Sequence, residues 1–243
     1  MKAARRQTSS TATRVLKRIR AKGRGSVFVP TDFLDLDSAS RRAVDAALAR
    51  LVGDGTIRRI GQGVYDYPKV HPRFGPRTPS ADAVASAVAR STNETIVDGD
   101  ARAANLLGVS TQVPAQAVYL TTGNSRTLRV NLGNGRGFDI RFKRVASSRT
   151  LGSNSKAGLV LRALHFLGRD GVDDAVVRRL RAVLDEGDLR QLRNLRPKAT
   201  GWKRSVIDCI LNLNRNLSVN SIRRMNRSSD EAVTTTGAEV PVA

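Results

Sequence analysis

The sequence is poor in aromatic residues, in cysteine and in acidic side chains. Phe, Trp and Tyr make up 4% of its 243 residues, so an apolar core has to be built from Leu, Val, Ile and Ala. The single Cys209 excludes a disulfide within the chain and fits the reducing conditions of a cytoplasm. No run of 18 apolar residues occurs, so the sequence predicts no membrane-spanning helix.

The shortage of acidic residues gives the chain a strongly positive charge. Forty-two Lys and Arg residues stand against 21 Asp and Glu, a net charge of +21. Such an excess favours a polyanionic partner, nucleic acid before a membrane surface. Residues 1–31 contain no acidic residue, which also resembles a transit peptide. That alternative is disfavoured because the basic segment continues directly into the pattern of a folded domain.

Residues 1–67 follow the order of a winged helix-turn-helix. Apolar positions predict helices over residues 9–21 and at "PTDFLDL", and a third helix that begins near Asp37 or Ser38 and ends near Gly53. The segment "TIRRIGQGVYDYP" then predicts two short strands around a glycine-rich turn. In a winged helix the third helix enters the major groove and the hairpin contacts the DNA backbone or minor groove.

Basic and polar residues occupy the positions where such a domain contacts DNA. Arginine and small polar side chains there can reach bases or phosphates. The predicted DNA-binding residues are Ser38, Ser40, Arg41, Arg42, Arg50, Arg58, Arg59 and Gln62.

The rest of the chain predicts a proline-rich linker over residues 68–80, a second domain over 81–225 and a disordered tail over 226–243. Four prolines mark the linker. Alternating apolar residues around "GNGRG" predict a hairpin within a small sheet over 117–145, and helices follow the sheet. The expected class is therefore α+β. A second basic stretch over 190–227 could bind phosphates, RNA or an acidic protein.

Three stretches resemble the AbiEi family of antitoxins from type IV toxin–antitoxin systems, which act in abortive infection and phage defence. They are "IRRIGQGVYDYPK" at 57–69, "DARAANLLGVSTQVPAQAVYLTTG" at 100–123 and "ALHFLG" at 163–168. The resemblance covers most of residues 10–215. It implies a winged helix that represses its own operon and a second domain that neutralises a nucleotidyltransferase-type toxin encoded by the adjacent gene.

The resemblance also singles out residues outside the predicted DNA surface, with either a structural or a partner-contact role. These are Tyr65, Asn105, Gln112, Pro114 and Tyr119. The implied partners are double-stranded DNA of the chain's own promoter and the cognate toxin, in the cytoplasm and away from membranes. A plain winged-helix transcriptional regulator without a toxin partner is the alternative.

The sequence offers little for catalysis, and we expect no enzyme activity, no cofactor and no metal. His71, His165 and Cys209 have no zinc-ligand spacing. A metal-dependent nuclease is a third, less favoured possibility. It would need two carboxylates among Asp98, Asp100 and Asp139 to hold Mg²⁺ and Lys143 to orient a water molecule, with Arg141 on the same strand. The alternation along 139–143 more simply indicates one solvated face of a strand.

Overall fold

A computed structural model of the protein describes residues 10–36 and 40–211. The expected α+β class is confirmed. Within these residues there are eight α-helices, nine β-strands and short 3₁₀ turns, and no helix that is long and apolar enough to cross a membrane. The elements are α1 (Thr11–Lys22), β1 (Val27–Phe28), α2 (Arg41–Gly53), β2 (Arg58–Gly61), β3 (Val64–Asp66), β4 (Val70–His71), β5 (Gly75–Pro76), α3 (Ala81–Thr92), β6 (Ile96–Asp98), α4 (Asp100–Leu106), β7 (Ala117–Thr121), β8 (Arg126–Gly133), β9 (Arg136–Arg144), α5 (Lys156–Leu167), α6 (Asp174–Val183), α7 (Glu186–Leu195) and α8 (Trp202–Ile210).

The chain divides into two compact units. The first comprises the residues up to Ile96 together with Gln116–Arg144, and the second comprises Val97–Ala115 together with the residues from Val145 onward. This division differs from the predicted boundaries after residues 67 and 80. The predicted linker 68–80 carries the paired strands β4 and β5. The predicted tail over 226–243 lies outside the described residues.

The N-terminal part of the first unit is built on a three-stranded antiparallel sheet, in the order β1-β3-β2. The predicted second helix is instead a 3₁₀ turn over Pro30–Phe33. Phe28 and Phe33 meet edge to face, and Tyr65 stacks on Phe28 at 6.3 Å between ring centroids. These rings and the apolar faces of α1 and α2 form one buried cluster.

A second cluster explains why the first unit extends beyond residue 80. Ile60 and Val64 of the β2–β3 hairpin are buried together with one face of α3 and with Val130 and Ile140 of the later sheet. The contact is close, since a Cβ atom on Gly61 would lie 3.2 Å from Leu128 Cδ1. The hairpin therefore has apolar residues on both faces and cannot end a separate domain, because the loss of either core would expose them.

The later sheet has the order β6-β7-β9-β8, and the chain passes from the first unit to the second within the edge strand β6. Strands β8 and β9 form the predicted hairpin, with Val130 opposite Phe138. Strand β7 is parallel to β9, with Tyr119 opposite Phe142. Alternate residues of β8 and β9 point to the core, so their neighbours form an exposed polar face.

The second unit is helical around its own core. Ala163 and Leu164 of α5, Leu180 of α6 and Leu192 of α7 are fully buried there. The start of α5 lies against the preceding loop so closely that a Cβ atom on Gly158 would lie 2.8 Å from the Gly152 carbonyl carbon. Only glycine permits this approach.

Candidate nucleic-acid interface

Helix α2 presents arginines to solvent. It begins at Arg41, and Ser40 is its N-cap, with the hydroxyl accepting a hydrogen bond from the Ala43 amide at 3.2 Å. The predicted N-cap at Asp37 or Ser38 is therefore two or three residues early. The predicted contact Ser38 lies outside the described residues, and the Ser40 hydroxyl is occupied by capping.

The three predicted arginines of α2 are all exposed. Arg41 donates to the Asp45 carboxylate one turn further on, at 3.0 Å, in a surface pair that contributes little to stability. Arg42 and Arg50 are exposed, and neither has an acidic partner within the described residues. Both are free to meet a phosphate or a base edge.

The two arginines of the β2–β3 hairpin have different surroundings. Arg58 donates from Nε to the buried carboxylate of Asp66 at 2.9 Å, and its Nη2 donates to the Arg77 carbonyl oxygen at 2.8 Å. Its guanidinium is thus committed to the fold. Arg59 is exposed, and so is Gln62 in the turn, where Gly63 has φ +66°. These two side chains of the hairpin are accessible to a ligand.

The 3₁₀ turn that precedes α2 is held by the carboxylate of Asp32, whose side chain is 8% exposed. Asp32 accepts hydrogen bonds from Arg90 of α3 at 2.8 and 3.0 Å, and its carboxylate also accepts from the Val29 amide at 3.2 Å. Burial raises the pKa of Asp32, but these hydrogen bonds and the charges of Arg90 and Lys22 outweigh burial and leave the pKa below its ordinary value. The ionised carboxylate fixes the turn against α3.

The residues marked by the family resemblance fall in both units. Tyr65 and Tyr119 are buried in the first unit, and the Tyr119 hydroxyl donates to the Asp82 carboxylate at 2.5 Å. In the second unit the Asn105 side chain donates to the Ser110 carbonyl oxygen at 3.3 Å. Gln112 and Pro114 are exposed in the loop that follows. Both tyrosines and Asn105 hold the fold, and only the loop residues are open to a partner.

The carboxylates of the nuclease hypothesis are held by arginines. Asp98 pairs with Arg102 at 3.1 Å, and Asp100 pairs with Arg149 at 2.6 Å. Asp139 lies on the exposed face of β9 and pairs with Arg129 of β8 at 3.2 Å. In residues 10–36 and 40–211 no three His, Cys, Asp or Glu side chains are grouped so that they could hold a metal ion. Magnesium-dependent cleavage of DNA by the protein and by an Asp139→Ala, Lys143→Ala variant tests the hypothesis, which predicts a loss in the variant.

One buried charged residue, Arg162 of α5, was not predicted from the sequence. Arg162 of α5 is 1% exposed, the largest side chain that is fully buried in the described chain. Its position three residues after Leu159 and four before Phe166 places it on an apolar face of the helix, which is an unusual place for an arginine. That spacing is the sequence signal that marks it.

Comparison with known proteins gives a family without an assigned activity. Residues 14–192, most of the chain, match a family described as a family of unknown function (DUF6088). A search of curated proteins gives no match.

Proposed function

We propose that the chain, which belongs to the DUF6088 family of unknown function, is a DNA-binding antitoxin that represses its own operon. In this proposal the segment from α1 to β3 is a winged helix-turn-helix, with α2 in the major groove and the β2–β3 hairpin as its wing. The protein acts in the cytoplasm on double-stranded DNA of its own promoter. Its cognate toxin is the product of the adjacent gene.

The observation that carries the DNA-binding proposal is the separation of structural and available arginines. Arg58 is used to hold Asp66, whereas Arg42, Arg50 and Arg59 are exposed without acidic partners in the described chain. The available arginines lie on the helix and the hairpin that a winged helix applies to DNA. A net charge of +21 supports the same class of partner.

The antitoxin part of the proposal is supported by the resemblance of residues 57–69, 100–123 and 163–168 to the AbiEi family. The exposed loop with Gln112 and Pro114 is the part of the resembling stretch that is available to a toxin. A plain winged-helix regulator without a toxin partner is the competing function. The two functions differ only in whether the adjacent gene product is neutralised.

Binding to promoter DNA tests the first part. The protein is titrated with labelled duplex from upstream of its gene and with scrambled duplex, over a series of salt concentrations. Specific complexes exceed non-specific ones by about 10³-fold or more in affinity. An Arg42→Gln, Arg59→Gln variant should bind the promoter duplex at least about tenfold more weakly. The slope of log affinity against log salt concentration should become less steep by about 1 for each phosphate contact removed.

The matched control is an Arg178→Gln, Arg193→Gln variant, which removes the same charge from exposed positions on α6 and α7. It should keep the preference for the promoter. Equal losses in both variants, or no preference in the parent protein, would show general attraction to a polyanion and contradict the proposal.

Co-expression with the adjacent gene tests the second part. The Arg42→Gln, Arg59→Gln variant should fail to repress a promoter reporter and still rescue cells from the toxin. Repression without rescue by the parent protein would favour the plain regulator. Loss of rescue together with repression, in a folded variant, would contradict the separation of the two activities.

A further inference from the structure

A small cationic cavity lies within the second unit. Its volume is about 100 Å³. Four basic side chains line it, together with the ends of several apolar ones. The lining residues are Ser148, Arg149, Leu151, Leu161, Arg162, Lys198, Ala199, Thr200 and Lys203.

Arg162 carries the argument because its charge is buried and only partly bonded. The Nη2 atom donates to the Ser153 carbonyl oxygen at 2.7 Å. The Nε and Nη1 atoms are buried and have no hydrogen-bond partner within residues 10–36 and 40–211. A guanidinium remains charged in a protein, and buried donors without partners are costly. Two donors of this arginine are therefore left unsatisfied by the described residues, and Arg162 itself lines the cavity.

Two carboxylates outside the lining interact electrostatically with Arg162. Asp100 accepts from Arg149 at 2.6 Å through Oδ2, while its buried Oδ1 atom has no hydrogen-bond partner among the described residues, and Asp98 pairs with Arg102. Burial lowers the pKa of Arg162, and the charges of Asp98 and Asp100 favour its charged form without offsetting burial. The lining itself contains four basic side chains and no carboxylate, so it carries an excess of positive charge.

Lys203, which also lines the cavity, shows the same excess of positive charge. Burial lowers the pKa of its amine, and the positive charge of Arg149 lowers it further, against the attraction of Asp100. Its Nζ atom lies 3.2 Å from His165 Nδ1. The amine and the guanidinium of Arg149 are therefore close enough to repel each other, an arrangement that an anion between them would stabilise.

The size of the cavity selects the class of anion. Pockets for drug-sized ligands run from about 300 to 1,000 Å³, whereas one water requires roughly 10–15 Å³. A cavity of about 100 Å³ holds a tetrahedral oxyanion but no nucleoside. Guanidinium donors match the oxygens of a phosphate in pairs.

We propose that this cavity binds one phosphate group, held by the four basic side chains that line it, Arg149, Arg162, Lys198 and Lys203. The group is either free inorganic phosphate or the terminal phosphate of a larger molecule whose remainder stays outside. The site lies in the second unit and does not depend on DNA binding by α2 and the hairpin.

Calorimetric titration of the full chain with inorganic phosphate, at constant ionic strength maintained with sodium chloride, tests the proposal. An Arg162→Met variant keeps an unbranched apolar stem and removes the charged guanidinium. We expect the parent protein to bind phosphate and this variant to bind at least about tenfold more weakly. The matched control, Arg193→Met, removes an exposed arginine of α7 and should bind like the parent.

A Lys203→Met variant provides a second measurement if Arg162→Met does not fold, and it too should weaken binding. No binding by the parent protein overturns the proposal, and so does an equal loss in Arg193→Met. Further titrations with a 5′-phosphorylated and a 5′-hydroxyl dinucleotide distinguish the two sources. Tighter binding of the phosphorylated dinucleotide than of inorganic phosphate identifies a terminal phosphate, and the reverse order identifies the free ion.

Discussion

Arg58 donates a hydrogen bond from Nε to the carboxylate of Asp66 at 2.9 Å, across the two strands of the N-terminal hairpin. Asp66 is 2% exposed, so this arginine is its counter-ion in the interior. Its sequence neighbour Arg59 is exposed and does not pair with Asp66. Both arginines were predicted to bind DNA, but Arg58 instead neutralises a buried carboxylate.

Removal of Arg58 should destabilise the fold, and removal of Arg59 should not. Arg58→Met leaves a buried carboxylate without its partner, which we expect to lower the free energy of unfolding by about 3 kcal/mol. Arg59→Met should change it by less than about 0.5 kcal/mol and should weaken DNA binding. Urea denaturation and DNA titration of both variants check this. A stable Arg58→Met protein would contradict the structural role.

A partly buried network around Glu94 should make the stability of the fold depend on pH in the acid range. Glu94 accepts from Arg126 at 2.8 Å and from the Thr121 hydroxyl at 2.8 Å. The hydrogen bond from Arg126 lowers the pKa of Glu94 from its ordinary value of 4.5, with burial opposing and the Thr121 hydroxyl assisting. The stabilisation is therefore complete above pH 4.5, and it is lost as the pH falls through the lower pKa that Glu94 has in the folded state.

Glu94→Gln should cost about 1–2 kcal/mol at neutral pH, and the difference from the parent should shrink as the pH falls below 4.5. Denaturation curves over the pH range measure it. Asp139→Asn is the control, because the Arg129–Asp139 pair is exposed and worth less than about 1 kcal/mol. If the difference in free energy of unfolding between Glu94→Gln and the parent grew in acid, the stabilising role of ionised Glu94 would be contradicted.

The hydroxyl of Tyr119 should matter to stability through one hydrogen bond. It donates to Asp82 at 2.5 Å, and the residue is 4% exposed. Tyr119→Phe should lower the free energy of unfolding by about 1–2 kcal/mol without affecting toxin neutralisation. Tyr65→Phe, on a ring that packs against Phe28, is the comparison. Loss of neutralisation in folded Tyr119→Phe protein would instead indicate contact with the partner.

Two glycine-to-alanine substitutions should change the stability of the protein in opposite directions. An alanine at Gly158 would place Cβ 2.8 Å from the Gly152 carbonyl carbon, and we expect a loss of about 2–3 kcal/mol. Gly53, in the last turn of α2, has nothing within 4 Å of such a Cβ. Gly53→Ala should therefore raise stability by about 0.5–1 kcal/mol, because alanine has the higher helix propensity. Thermal unfolding of both variants measures the contrast.

The α+β class and most of the local elements follow from apolar periodicity and caps, because these are properties of neighbouring residues. The alternation around Gly133–Gly137 predicted the β8–β9 hairpin. The errors of prediction from sequence concerned where an element begins and which type of element forms. Ser40 rather than Ser38 or Asp37 caps α2, since several polar residues there could serve equally.

Which residues act together depends on the tertiary structure. Local pattern could not reveal that the β2–β3 hairpin shares a core with α3 and the later sheet, since that burial joins residues some 70 positions apart, such as Ile60 and Val130. It could not separate Arg58 from Arg59, because only the fold places Asp66 beside one of them. It could not show that Arg162 lines a cavity, since burial of a charge depends on everything packed around it.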